Sequence, residues 1–444
     1  MQEQPVAVPA RDKQAGEGQV PSPWGWVEAS VWTERMLTAL QQGVKGGVWF
    51  SLIDKVYKPK NLGSSWSKVA ANQGSAGVDH KTVKMYERHV EANLEQLSRS
   101  LKDGTYRPKA IRRCPIPKPG STEMRPLGIP TVGDRVAQGA LRHVIEPIFE
   151  RDFHEHSYGF RPGKGCKDAL RRVQELLDRG HRYGVDADLK GYFDSIPHQR
   201  LLGRIRTKVA DGRVLKLIET FLTQGVMDGL EQWKPTSGAP PGAVLSPLLS
   251  NVYLDPLDHH MANQGFEMVR YADDFVILCQ SREEAERALA EVRQWTSQEE
   301  LSLHPEKTRI VHEPQEGFDF LGYHFGQGRR GPRNKSLKKF KDSIRIATRR
   351  TQGISLQRVI RNVNRPIRGW FEYFKQSHHR VFPWLEGWIR MRLRSILRKP
   401  QGKQGRGRGS DHQRWPNSYF TGLGLFSLTA AHRLARQSAR AVNH

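Results

Sequence analysis

The stretch EMVRYADDFVILCQ, residues 267–280, sets two adjacent carboxylates, Asp273 and Asp274, between two apolar runs. Runs of this length, rich in β-branched and aromatic residues, predict two strands with the acidic pair at the tip of a hairpin. Two like charges about 4 Å apart repel by roughly 1 kcal/mol in water and by about 4 kcal/mol at an effective dielectric of 20. On an open surface solvent hides that cost; a half-buried hairpin needs a cation. Aspartate also favours turns simply because it bonds its own backbone, so the pair gains meaning only from its surroundings.

Upstream lies a second acidic stretch, RYGVDADLKGYFDSIP, residues 182–197. Read as a strand, it turns Val185, Ala187 and Leu189 to one face and Asp186, Asp188 and Lys190 to the other. Two carboxylate-bearing strands that converge could hold two divalent ions. Mg²⁺ is typically bound by one or two carboxylates plus substrate phosphates rather than by a cage made of protein alone. In polymerases a pair of such ions supports in-line attack of a 3′-hydroxyl on a triphosphate.

The chain has 444 residues and a formal net charge of +25, distributed unevenly. Residues 329–444 hold 28 Lys+Arg against 4 Asp+Glu, while the rest is nearly neutral. Such segregation predicts a polyanion-binding module. No run of about 18 apolar residues predicts a membrane span, and no basic-then-apolar leader pattern opens the chain. Cys114, Cys166 and Cys279 are scattered and form no C-x-x-C pair, so the expected setting is a reducing cytoplasm. Residues 1–24 are polar and expected to be disordered, with helical patterning from about Trp26. In residues 281–303, Ser281 and Glu284 have capping-box spacing, and Ala285, Ala288, Leu289 and Val292 line one helical face. Past Gly331 the pattern is helical and basic. Leu337, Phe340, Ile344 and Ala347 form an apolar stripe there, and Arg390, Arg394 and Arg398 recur every four residues as an expected basic ridge for RNA phosphates.

RYADDFVIL resembles the palm hairpin of reverse transcriptases, in the form of group II intron-encoded reverse transcriptase/maturases. Residues 116–150, HSYGFRPGKGCKDAL (156–170), VDADLKGYFDSIPH (185–198), LSPLLSN (245–251), LSLHPEKTRI (301–310) and FDFLGYHF (318–325) are similar to that family's other blocks, in the same order. The resemblance implies an α/β (α+β) right-hand polymerase with fingers and palm, followed by an α-helical thumb/maturase domain. The expected divisions are an N-terminal region 1–60, fingers and palm 61–328, thumb/maturase 329–400 and a basic tail 401–444. WSKVAANQGSAGVD, residues 66–79, is similar to the family's N-terminal extension. With no cysteine beyond Cys279, the zinc-containing H-N-H nuclease that ends many members is not expected.

Carried over by position, the resemblance implies Asp188, Asp273 and Asp274 as catalytic residues and ligands of two Mg²⁺ ions, with Asp186 behind them. Phe193 matches the aromatic gate that selects deoxynucleotides. Lys118 and Arg125 match the pair that grips the triphosphate, and Lys307 the palm lysine that aids pyrophosphate departure. Phe320, Leu321 and Gly322 match the primer-gripping hairpin. The implied partners are structured intron RNA, an RNA template with a DNA primer, deoxynucleoside triphosphates and target DNA. One departure stands out: in GAPPGAVLSPLLSN, residues 238–251, Pro241 replaces the family's glutamine and Ala243 a glycine. Proline has no amide donor and locks its own φ. Two other readings therefore stay open: an RNA-binding splicing maturase with weak or no polymerase activity, and an intron-independent reverse transcriptase of DNA repair or defence.

Overall fold

The computed structural model describes residues 24–117, 124–229, 231–402, 405, 407 and 409–441. The described strands, in chain order, are β1 (Ile111–Pro117), β2 (Met124–Ile129), β3 (Tyr183–Asp188), β4 (Val226–Asp228), β5 (Glu231–Trp233), β6 (Glu267–Tyr271), β7 (Asp274–Cys279), β8 (Arg309–His312), β9 (Phe318–Phe320), β10 (Tyr323–Gly326) and β11 (Arg329–Pro332). They form three sheets of order β2-β1-β4-β5, β6-β7-β3-β8 and β11-β10-β9. The β1–β4 pair is parallel and the other strand pairs are antiparallel.

The central sheet forms because β7 is apolar on both faces. Phe275, Ile277 and Cys279 enter a large core, against residues such as Ala285 and Val292 of the Arg282–Gln298 helix. Val276 and Leu278 point the other way, into a second cluster with Leu170, Val173 and Phe318. This is the period-two alternation of a strand with both faces covered. The Arg282–Gln298 helix starts where predicted. Ser281 accepts from Glu284 N, and Glu284 reaches back to accept from Gln280 N, one residue before the cap.

The large core does not begin at residue 61. Val31, Trp32, Leu40, Leu52 and Val56 belong to it, with the Trp32 indole donating to His143 O at 2.9 Å. Asp211 fixes the same segment, accepting from Leu52 N and Ile53 N while capping its own helix. Behind the sheet, the Val132–Glu150 helix is buried along almost its whole length.

The basic C-terminal part has its own core, built from the helices Asn334–Ala347, Leu356–Phe374 and Val381–Arg398. Of the predicted stripe, Phe340 and Ile344 are fully buried and Leu337 and Ala347 pack at its edge. The segment expected as a basic tail folds back: Trp415, Phe420, Leu425 and Leu428 complete this core, and the Leu428–Ala441 helix packs on Val381–Arg398. Its glycine-rich start lies partly outside the described residues, as do residues 1–23. Among the described residues no helix is long and apolar enough to cross a membrane.

Candidate active site in the central sheet

The pairing of β3 with β7 sets Asp188 directly opposite Asp274, and Tyr271 opposite Asp274 closes the β6–β7 hairpin with Ala272 and Asp273 as its two-residue loop. Asp186, two residues before Asp188, shares its face of the sheet. The four acidic residues expected from two distant stretches thus meet at one end of the sheet.

Their electrostatics are those of a site short of positive charge. Burial and the neighbouring Asp186, Asp273 and Asp188 push the Asp274 carboxyl up to about 7. Burial raises Asp186 to about 6, opposed by Arg309. Asp273 is raised by burial and by Asp188, with Arg125 and Arg270 pulling the other way. Arg125, exposed on β2, therefore acts on Asp273 across the cleft between two sheets. Lys118 lies outside the described residues.

Two cations reach the cluster, Arg309 pairing with Asp186 at 3.8 Å and Lys307 with Asp188. The Lys307 ammonium donates to Asp188 Oδ2 at 2.5 Å. It arrives because residues 301–307 run beside the end of β3: Leu303 bridges Leu189, Lys190 N donates to Ser302 O, and His304 N donates to Asp188 O. Among the described residues no three His, Cys, Asp or Glu side chains form a ready-made metal cage. Hard, mutually repelling and partly desolvated oxygens suit Mg²⁺, which completes its shell with water and phosphate oxygens. Asp188, Asp273 and Asp274 are the residues that could hold it.

The hairpin is held in place by residues that sequence reasoning passed over. Ala272 takes φ +61°, an unfavourable left-handed value for a residue with a Cβ. Arg270, fully buried, donates to Ala272 O at 2.8 Å and to Asn251 Oδ1 at 3.0 Å, and pairs through two nitrogens with Asp258. Asn251 in turn donates to Gly159 O. The 156–158 segment pairs with β6, Tyr158 N donating to Arg270 O and Arg270 N to His156 O. A Cβ on Gly159 would collide with Ala272 N, so only glycine fits there. The available signal was an arginine directly after the apolar pair Met268–Val269 in a strand otherwise buried there.

Phe193 follows Asp188 on a short helix, and its carbonyl accepts from Ala239 N. Its ring packs edge-on to Tyr192 and lines a cavity of about 320 Å³ with Gly128, Pro240, Pro241, Arg113 and Trp233. Pro241 is locked in place, its carbonyl accepting from Gly128 N at 2.7 Å. A Cβ on Gly242 would collide with Gly128 O.

Phe320, Leu321 and Gly322 belong to the tight β9–β10 hairpin. Leu321 and Gly322 both have positive φ and form its two-residue turn, while Phe320 is buried beneath. Leu321 O accepts from the Tyr373 hydroxyl and Gly322 O from Ser336, so the turn is tied to two helices of the C-terminal part.

The arginine ridge is corrected by the structure. Arg390, Arg394 and Arg398 do align on the Val381–Arg398 helix, but their face turns inward. Arg394 is 2% exposed, donating to Trp415 O and Asn417 Oδ1. Arg398 pairs with Asp411, and Arg390 with Glu386. The returning 409–441 segment, unforeseen in the sequence, brings the partners of Arg394 and Arg398.

Residues 116–325 match the family model described as "Reverse transcriptase (RNA-dependent DNA polymerase)", and residues 337–415 match "Group II intron, maturase-specific domain". The chain is 38% identical over 222 residues to the group II intron-encoded protein LtrA of Lactococcus lactis subsp. cremoris, a match covering 50% of this chain and 34% of LtrA. It is 31% identical over 314 residues to protein YkfC of Escherichia coli (strain K12), covering 61% of this chain and 82% of YkfC. An uncharacterized 91 kDa protein in the cob intron of Schizosaccharomyces pombe is 25% identical over 372 residues, 65% of this chain and 46% of that protein. The match to LtrA thus spans about a third of that relative's length. With both family regions present in order along one chain, this protein belongs to the group II intron-encoded reverse transcriptase/maturases.

Proposed function

We propose that this chain is an RNA-directed DNA polymerase that uses two Mg²⁺ ions, binds structured group II intron RNA, and extends a DNA primer on an RNA template. The observation that carries the reading is the opposition of Asp188 and Asp274 across β3 and β7, with Asp273 at the adjoining turn and too little positive charge to balance them. In this reading Asp188 and Asp273 hold the ions and Asp274 supports them. When bound, the ions acidify the attacking 3′-hydroxyl and stabilise charge on the transferred phosphoryl oxygens.

The chain's own residues do the rest. Arg125, with Lys118, orients the triphosphate of the incoming nucleotide. Phe193 presents a ring where a 2′-hydroxyl would otherwise sit, which favours deoxynucleotides. Lys307 exchanges its contact with Asp188 for the departing pyrophosphate and donates a proton to it. Leu321 and Gly322 present the turn that holds the primer end. The division into fingers and palm followed by a thumb/maturase part is proposed at the β11–helix junction near residue 333, with residues 31–60 joined to the former and 409–441 to the latter.

Primer extension on an RNA template, with deoxy- or ribonucleotides and Mg²⁺, tests the reading. Extension with deoxynucleotides that disappears in Asp273→Ala supports it; no extension by wild type rejects it. That second outcome would favour a splicing maturase without polymerase activity. Pro241 supports this alternative, because it offers no side-chain amide beside Phe193.

A further inference from the structure

With the arginine ridge turned inward, the positive charge of the C-terminal part must meet its partner elsewhere. Two adjoining cavities of about 480 and 370 Å³ share His379, His432 and Arg436, and so form one groove. It runs from Arg330 and Lys375, past the 376–379 loop, to Pro383 and the exposed face of the Leu428–Ala441 helix. This helix lies beyond residue 415, where the maturase-specific match ends.

Among the described residues no carboxylate lines the groove. At one end Lys375 pairs with Glu372, and Arg330 donates to Gln376 O. Nearby acids lie outside the lining: Asp178 acts on Arg330 at one end, and on the other side Glu386 is buried and engaged by Arg390, Ser427 and Thr429. Arg433 and Arg436 are exposed, and neither has a carboxylate partner among the described residues. The floor is packed and bonded: Phe382 stacks on His432 at 4.4 Å, and His378 N donates to Arg330 O. At the mouth His379 is exposed, its ring 4.2 Å from that of His378. Burial and the surrounding cations, Arg436 first among them, hold the His432 imidazole below its ordinary range. Among the described residues, an anion entering beside Arg433 and Arg436 would meet cations and neutral groups but no lining carboxylate.

We infer that this groove is a binding site for structured RNA, its arginines holding the phosphate backbone and its exposed imidazole stacking on an unpaired base of a loop or bulge. The chemistry favours RNA with unpaired nucleotides over plain duplex: guanidinium planes and an exposed imidazole suit splayed bases as well as phosphates. The inference rests on the proposed RNA-binding role of this chain but not on its polymerase chemistry.

The test uses the full chain, a fluorescent RNA stem-loop, a fully paired RNA duplex and a DNA hairpin, titrated across salt concentrations. In Arg433→Glu/Arg436→Glu, stem-loop affinity should fall about tenfold or more, and the slope of log K against log salt should shrink by about two. His379→Ala should cost the stem-loop about five- to tenfold through lost stacking and leave the slope unchanged. Both arginines are exposed, so the variants should keep the wild-type unfolding midpoint. Short-primer extension, measured on the same preparations, separates this inference from the polymerase reading. Its absence in wild type bears on the polymerase alone. Undiminished stem-loop affinity in the folded double variant would overturn the groove, as would an equal loss on the paired duplex or the DNA hairpin.

Discussion

Two clusters of like charge look alike in the sequence and behave oppositely in the fold. In the central sheet Asp186, Asp188, Asp273 and Asp274 crowd together, served mainly by Lys307 and Arg309, and three of the four are pushed toward protonation. In the C-terminal part Arg390, Arg394 and Arg398 line one helix, and each is met by a partner from its own helix or the returning chain. What separates a site from a scaffold is whether the fold brings compensating groups. The palm leaves its acids in deficit, as the proposed two-metal chemistry requires, whereas the thumb satisfies its arginines and turns them into mortar.

The largest effect should come from the deficit side. Asp273→Asn removes a proposed ligand and should lower primer extension on the order of 10³-fold, comparable to losing a principal electrostatic contributor. Because the wild-type carboxylate is buried beside Asp188, its neutralisation should not lower the unfolding temperature. Mg²⁺ should raise the unfolding temperature of wild type, since a ligand that binds only the folded state stabilises it, and should do so less in the variant. A variant that loses stability along with activity would erase the contrast.

The satisfied side should show the reverse. Arg394→Ala leaves Trp415 O and Asn417 unpaired and exposes a void beside Phe420, so urea unfolding should show a loss of about 2–3 kcal/mol. Arg433→Ala, on the exposed face of the last helix, should stay within about 0.5 kcal/mol of wild type. Equal effects would mean that the inward turn of the ridge is wrong.

Arg270 sits between the two regimes, a buried cation fully paired yet serving the acidic turn. Arg270→Lys keeps the charge but loses the fork that spans Asp258, Asn251 and Ala272 O. Groups that orient metal ligands typically matter about 10–100-fold, so apparent Mg²⁺ affinity in primer extension should fall within that range. An unchanged Mg²⁺ dependence would reduce Arg270 to a core residue.

These cases also mark where sequence was sufficient. Period-two alternation in residues 183–188 requires a strand with one acidic face, the apolar run of residues 275–279 a buried strand, and the capping residues around Ser281 a helix start; all three are local properties and all appear. The spacing of Arg390, Arg394 and Arg398 correctly places them on one helical face. Which face turns inward depends on what packs there, and the packing residues, Trp415 and Phe420, lie beyond a glycine-rich basic run that reads as a linker. Likewise Arg270 and Asp258 are twelve residues apart on a strand and a helix, and only the tertiary fold makes them a pair. Residues 31–56 carry apolar anchors too widely spaced to announce that they share the palm core.

Pro241 offers the smallest and sharpest test of the comparison. Its backbone already makes the bond the loop needs, from Gly128 N, and that bond does not depend on the side chain. What proline withholds is a side-chain donor beside Phe193, at the wall of the same cavity. Pro241→Gln should therefore leave the loop and the unfolding midpoint nearly unchanged. If a nucleotide passes this wall, the new amide gains at most one neutral hydrogen bond, about 1 kcal/mol, and KM for deoxynucleotides should drop by up to about fivefold with kcat little altered. An unaltered KM in an active enzyme would mean that substrate never touches position 241, and that the palm tolerates proline there because its chemistry is set by the acids alone.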